Sequence, residues 1–140
     1  MTEGERRQHP GLNPLDTYAS SGFRFLIEIA AWIGGPWAAV DVVGAWWAAV
    51  PTALGLLLLP ALFNTPGDKN TTGIPTPGPI RIGIEALLLA AAVYGAWRVW
   101  PVWLAVGVCV SGGLMIVFGI PRYRWLLRGA PLSEIENRRG

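Results

Sequence analysis

Charged side chains vanish twice along this chain, from Val42 to Gly67 and again from Val99 to Pro121. Each stretch is longer than the ~20 residues that carry a helix across a ~30 Å hydrocarbon core. A core helix of a small soluble protein would be shorter and would keep a polar face. The apolar pattern resolves into four predicted spans, at about Phe23 to Val40, Ala45 to Phe63, Ile80 to Arg98 and Val102 to Ile120. The connections "DVVG" (Asp41 to Gly44) and "VWP" (Val99 to Pro101) are short, which makes antiparallel neighbours. Pro101 suits the first turn of a helix, where a missing N–H is harmless.

The middle connection differs. "NTPGDKNTTGIPTPGP", Asn64 to Pro79, is rich in Pro, Gly, Asn and Thr. Pro66-Gly67 predicts a turn and "IPTPGP" extended chain. The triplet Asn70-Thr71-Thr72 has the spelling of a glycosylation acceptor but reads here as part of a polar loop. Residues 1–22 form a polar tail with no apolar region followed by a cleavage signal, so the first span is expected to stay in the mature protein.

Composition sharpens the membrane reading. Of 140 residues, 52% are hydrophobic and 14% charged, against roughly 25% charged in an average soluble domain. The net charge of +2 is too small to suggest a nucleic-acid partner. Cys109 stands alone inside an apolar run and reads as a packing residue. His9, the single histidine, lies in the tail. No Cys/His cluster or nucleophile–base pair is spelled out, so neither an enzyme nor a metal or other cofactor is expected.

Orientation follows from the basic residues. Arg6, Arg7, Arg24, Lys69, Arg81, Arg122, Arg124, Arg128, Arg138 and Arg139 fall on one side of the four-span scheme, and Arg98 alone on the other. The positive-inside rule places both termini and the middle loop in the cytoplasm. Trp37, Trp46, Trp47, Trp97, Trp100 and Trp103 crowd the two short turns, as expected at the opposite membrane boundary. The predicted fold class is therefore an all-α membrane protein. It has four transmembrane helices, arranged as two parallel-related helical hairpins, with cytoplasmic termini. Residues 1–22 are the tail, 23–120 the transmembrane domain with its loop at 64–79, and 121–140 a basic interfacial segment followed by a mobile end.

A shift of 57 residues lays "RFLIE" (Arg24 to Glu28) on "RIGIE" (Arg81 to Glu85), which suggests an internal repeat of two helices. Each Arg-x-x-x-Glu pair shares one helix face. Arginine can snorkel to the headgroups, whereas Glu28 and Glu85 lie about 6 Å deeper and need a partner or a wet cavity. Each arginine can hold its own glutamate, or the halves can exchange, Arg24 with Glu85 and Arg81 with Glu28. The Arg-before-Glu order is the weaker one within a helix, which favours exchange. Asp41 and Arg98 hold equivalent places near the outer turns. Gly34-Gly35-Pro36 and Pro51 mark kinks. Ala91-x-x-x-Gly95 and Gly107-x-x-x-Ser111 predict close approach of helices 3 and 4. "PRYRWLLRG" (Pro121 to Gly129) is expected to form a short continuation helix at the cytoplasmic surface, with Arg122, Arg124, Trp125 and Arg128 at the lipid interface near anionic headgroups.

Taken in order, "RFLIE", "FNTPGDK", "PTPGPIRIGIE" and "RYRWLLRG" resemble the YrdB-like family of small bacterial membrane proteins, a domain of unknown function. The resemblance covers roughly Phe23 to Gly129. It implies a four-helix protein of the bacterial inner membrane and brings no activity, cofactor or site residues. Two functional expectations follow from the residues. The first is a non-enzymatic interaction or structural subunit, with Arg24, Glu28, Arg81 and Glu85 as a helix clamp. Its partners would be membrane lipids and a second copy or another membrane protein. The alternative is an oligomeric small-solute or ion/proton transporter or channel using Glu28 and Glu85.

Overall fold

The structure, a computed structural model, describes residues 13–68 and 73–139. Glu3, Glu5, Arg6, Arg7, His9, Lys69 and the triplet Asn70-Thr71-Thr72 lie outside the described residues.

Helix α1 spans Tyr18–Val43. Thr17 is its N-cap, and its hydroxyl accepts the Ser20 N–H at 3.1 Å, so the helix begins earlier than the apolar pattern alone suggests. Gly44 ends it in the left-handed region, at φ 73°, and returns its N–H to the Val40 carbonyl. A residue with a Cβ is strained there, so the chain turns at this glycine. A short 3₁₀ turn, Trp46–Ala48, leads into α2, Ala49–Leu62. Pro51 falls in the first turn of α2 and breaks nothing, so the kink expected there is not needed. Pro60 does remove a donor deep in α2, leaving the Leu56 carbonyl without its usual partner. The Trp32 indole N–H of α1 supplies the bond at 3.2 Å.

A two-residue parallel ribbon follows, β1 Phe63–Asn64 with β2 Ile74–Pro75. Helix α3 covers Gly78–Val99 and α4 covers Val102–Leu127. Three helices, α1, α3 and α4, are long and apolar enough to cross a membrane. The apolar segment Trp46–Leu62 is shorter. At a rise of about 1.5 Å per residue it is about 25 Å long, just under a hydrocarbon core of about 30 Å.

Helices α1 and α3 run side by side in the same direction. Asp41 meets Arg98 at 2.6 Å near one end of the pair. Gly34 and Gly95 touch backbone to backbone further in: a Cβ on Gly95 would lie 2.4 Å from the Gly34 carbonyl carbon. The small pair Ala91-x-x-x-Gly95 thus serves the α1–α3 contact, not the expected α3–α4 one. Gly107 has open space around it, so Gly107-x-x-x-Ser111 is not a close-packing seam at that residue. Helix α4 returns antiparallel against both, with Gly112 beneath Leu89 and Phe118 stacked on Phe23 at 6.0 Å. The shared core is made largely of small residues. Ala31, Ala92, Ala96 and Ala105 are fully buried around Ile27 and Leu88. Such residues let backbones approach and gain dispersion where hydrophobic driving force is weak.

The outer faces are apolar. Phe25, Ile33, Leu54, Leu58, Val110 and Val117 are among the exposed side chains. Cys109 is exposed rather than packed inside, and the Trp97 indole N–H donates to its Sγ at 3.3 Å.

The carboxyl-terminal segment folds back onto the end of the bundle. Helix α4 continues past Pro121 to Leu127, and a further helix, α5, spans Leu132–Arg139. Ile135 is buried in a second small core with Leu15, Trp125 and Leu126. The Trp125 indole N–H fastens the turn by donating to the Pro131 carbonyl at 3.1 Å.

Candidate functional site

At the end of the bundle remote from the tryptophan-rich turns, the chain buries several ionic groups together. Their positions follow from local structure. Pro77 and Pro79 start α3 with a preset backbone, which puts Arg81 and Glu85 one turn apart on its buried face. In α4, Arg122 shares a face with Trp125 and Leu126, at spacings of three and four, and all three are buried. Asp68 is carried in by the loop after β1. That loop is pinned by Thr65 Oγ, which donates to the Thr76 carbonyl at 2.8 Å, and by Thr76 N, which donates to Asn64 O at 3.0 Å.

Arg122 is the centre. Its Nε donates to Asp68 Oδ1 at 2.6 Å, and its Nη2 also meets Asp68 Oδ2. On its other edge, Nη1 donates to Glu85 Oε2 at 3.0 Å and Nη2 to Glu85 Oε1 at 2.8 Å. Both edges of one planar guanidinium are thus used on two carboxylates, a task that suits arginine and not lysine. The Tyr123 hydroxyl adds a bond to Glu85 Oε2 at 3.2 Å, and Asn13 Nδ2 one to Asp68 Oδ1 at 3.4 Å. Arg122 is 1% exposed, Asp68 2% and Glu85 3%, so the charges are neutralised by each other and not by water. Burial by itself would raise the proton affinity of Asp68. The hydrogen bonds and charge of Arg122, with the fields of Arg24 and Arg81, outweigh this and hold its carboxyl below the ordinary carboxylate value.

Arg81 completes the cluster. Its Nε lies 3.5 Å from Glu85 Oε1, the pairing within its own helix, and 4.0 Å from Asp68 Oδ2. Its Nη1 donates to the carbonyls of Pro60 at 3.1 Å and Phe63 at 3.0 Å. These carbonyls lie at the end of α2, where a cation also answers the negative end of the helix dipole. One arginine therefore joins α2, α3 and the loop.

The remaining expected residues behave differently. Arg24 pairs with Asp16 at 2.5 Å, and Ser21 Oγ donates to the same oxygen at 3.0 Å. Neither exchanged pair, Arg24–Glu85 or Arg81–Glu28, is formed: Arg24 finds a nearer carboxylate just before α1, and Glu85 is taken up by Arg122. Glu28 does not join the network, and its buried Oε1 has no hydrogen-bond partner among the described residues. Arg122 and Trp125, expected at the lipid interface, are both buried, because they lie on the face of α4 that turns toward α3 and α5. Arg124 and Arg128, on the other face, are exposed. Asp68, Tyr123 and Asn13 were not among the expected site residues. Among the described residues, no group of three or more His, Cys, Asp or Glu side chains is placed to hold a metal ion.

No family model matches the chain. No curated protein and no solved structure matches it either.

Proposed function

We propose that this chain is a four-span protein of the bacterial inner membrane that acts as a non-enzymatic interaction or structural subunit. Helices α1, α3 and α4 cross the bilayer as full spans. The segment Trp46–Leu62 crosses as a slightly short fourth, accommodated by local thinning of the bilayer. The helices then form two hairpins. The ionic cluster lies at the cytoplasmic end and the tryptophan-rich turns at the outer boundary, in keeping with the basic residues and the aromatic belt. The resemblance to the YrdB-like family agrees with this architecture.

The observation that carries the reading is the twofold pairing of buried Arg122 with Asp68 and Glu85. It ties the middle loop to α3 and α4 and gives the cytoplasmic end a fixed shape. A fixed surface of loop, α5 and basic side chains suits the binding of a partner, a second copy of this chain or another membrane protein. A carboxylate held by four arginine hydrogen-bonding contacts shared with its neighbour is poorly suited to loading and releasing an ion.

A photo-crosslinking residue at exposed Glu136 or Ile74, introduced in cells, tests the reading. A discrete adduct with a second copy or with one membrane protein is expected. No adduct from either position argues against an interaction subunit. The transporter reading rests on Glu28, whose Oε1 has no partner among the described residues. Purified protein in vesicles with a trapped pH dye separates the two. A proton flux above that of protein-free vesicles, abolished by Glu28→Gln, would establish transport instead.

A further inference from the structure

A groove of about 530 Å³ opens between the last turns of α4, helix α5 and Leu15. Arg124, Arg128 and Arg138 line it with a single carboxylate, Glu134. Leu15, Pro121 and Leu127 form its apolar part. Arg128 is held in place: its Nη2 donates to Glu134 Oε1 at 3.0 Å and its Nε to the Arg124 carbonyl at 3.3 Å. Arg138 approaches the same glutamate at 3.9 Å. Arg124 has no carboxylate partner among the described residues. The groove therefore has three cations for one anion, and with Arg128 taking the hydrogen bond to Glu134, Arg124 and Arg138 remain for a new acceptor.

We propose that this groove binds the headgroup of an anionic phospholipid. The guanidinium forks of Arg124 and Arg138 match a phosphodiester in charge and geometry. The neighbouring surface says why the ligand is a lipid and not a soluble anion. Val110, Val117, Pro121, Arg124 and Arg128 fall on one stripe of α4 at helical spacing. Val110 and Val117 are well exposed, at 56% and 59%. An acyl chain can lie along this stripe while its phosphate sits at the arginines. The groove rests on the reading that this end of the bundle meets a membrane interface, but its test does not depend on orientation or on a protein partner.

The experiment is native mass spectrometry of the full chain in a non-ionic detergent. It is titrated with phosphatidylglycerol or with phosphatidylcholine of the same acyl chains. Wild type is expected to retain phosphatidylglycerol about tenfold better, and rising salt is expected to erode that preference. Arg124→Gln with Arg138→Gln should remove most of it while thermal melting stays near wild type. If that double variant folds poorly, the salt dependence of wild type decides. Equal retention of the two lipids, a preference indifferent to salt, or full preference in a well-folded double variant would each overturn the proposal. So would displacement of the lipid by inorganic phosphate, which would identify a site for free anions. Crosslinking and flux can fail without altering this result, so the two readings fail separately.

Discussion

Replacing Arg122 by methionine is the sharpest perturbation of the buried cluster. Methionine keeps most of the apolar stem and removes the guanidinium. Asp68 and Glu85 are then left as two buried carboxylates that had shared one cation. Breaking a buried pair from one side costs about 3–5 kcal/mol, chiefly through the charge left behind. Here Arg81 stands 3.5 Å from Glu85 and 4.0 Å from Asp68 and offsets part of that loss. The lower end, about 3 kcal/mol, is the expected value. For a domain of this size that corresponds to a melting shift of about 10 °C. The assay is thermal unfolding in a mild detergent, followed by far-ultraviolet circular dichroism. A companion variant checks the cause. Arg122→Met with Asp68→Asn leaves the buried cation Arg81 facing the single carboxylate Glu85 at 3.5 Å and should recover at least half of the loss. A single variant that melts within about 2 °C of wild type, or a double variant that is no better than the single, refutes the electrostatic reasoning.

Other predictions follow from separate contacts. Asp68 has its folded pKa below the ordinary value of 3.8. Its contribution to stability is therefore fully present above that value and is lost as pH falls through the lower, folded pKa. Melting should thus be insensitive to this group from about pH 5 upward and fall in stronger acid. In Arg122→Met the balance tips toward the burial effect and the acid-side loss attributable to Asp68 should shrink, as comparison with Asp68→Asn will reveal. The α1–α3 contact is asymmetric. A Cβ on Gly95 meets the Gly34 backbone at 2.4 Å, while one on Gly34 meets Gly95 at an ordinary 3.4 Å. Gly95→Ala should destabilise by about 2 kcal/mol and Gly34→Ala by less than about 1 kcal/mol, and equal effects in the melting assay would contradict the packing. Topology is tested by Ile74→Cys in a Cys109→Ser background, since Ile74 is 52% exposed and Cys109 is itself exposed. A membrane-impermeant maleimide should label it only after cells are opened, and labelling of intact cells would invert the proposed orientation.

The long apolar helices were legible because their signal is cumulative. Helix α3 was expected over Ile80 to Arg98 and occupies Gly78–Val99. The ends were less legible where a polar residue is satisfied inside the protein. The fourth span was expected to end near Ile120 and to be followed by a short continuation helix lying at the membrane surface; instead α4 is one helix to Leu127. It runs on because Arg122 is neutralised within the bundle. A signal for this was present: Arg122, Trp125 and Leu126 repeat at three and four residues, and Arg124, Leu127 and Arg128 fall on the other side. The face shared with a buried tryptophan outweighed the general habit of arginine to seek lipid headgroups. The i, i+4 spacing allowed the contact between Arg81 and Glu85, although the Arg-before-Glu order favoured exchange between the halves. It could not show that Arg24 finds Asp16, since that depends on the capped turn at Thr17. Asp68 was not readable at all. A lone aspartate in a polar loop is ordinarily solvated, and the pairing of β1 with β2 that accompanies its burial is not spelled in the sequence.

The central claim is that Arg122 and Asp68 form one energetic unit that locks the loop to α4. A double-mutant cycle measures it, using Asp68→Asn, Arg122→Met and the two combined, each melted under the same conditions. The account predicts a coupling of about 2 kcal/mol, because either single change removes the same pair. Effects that add to within about 0.5 kcal/mol would mean that the pair stores no shared energy and that the lock does not exist.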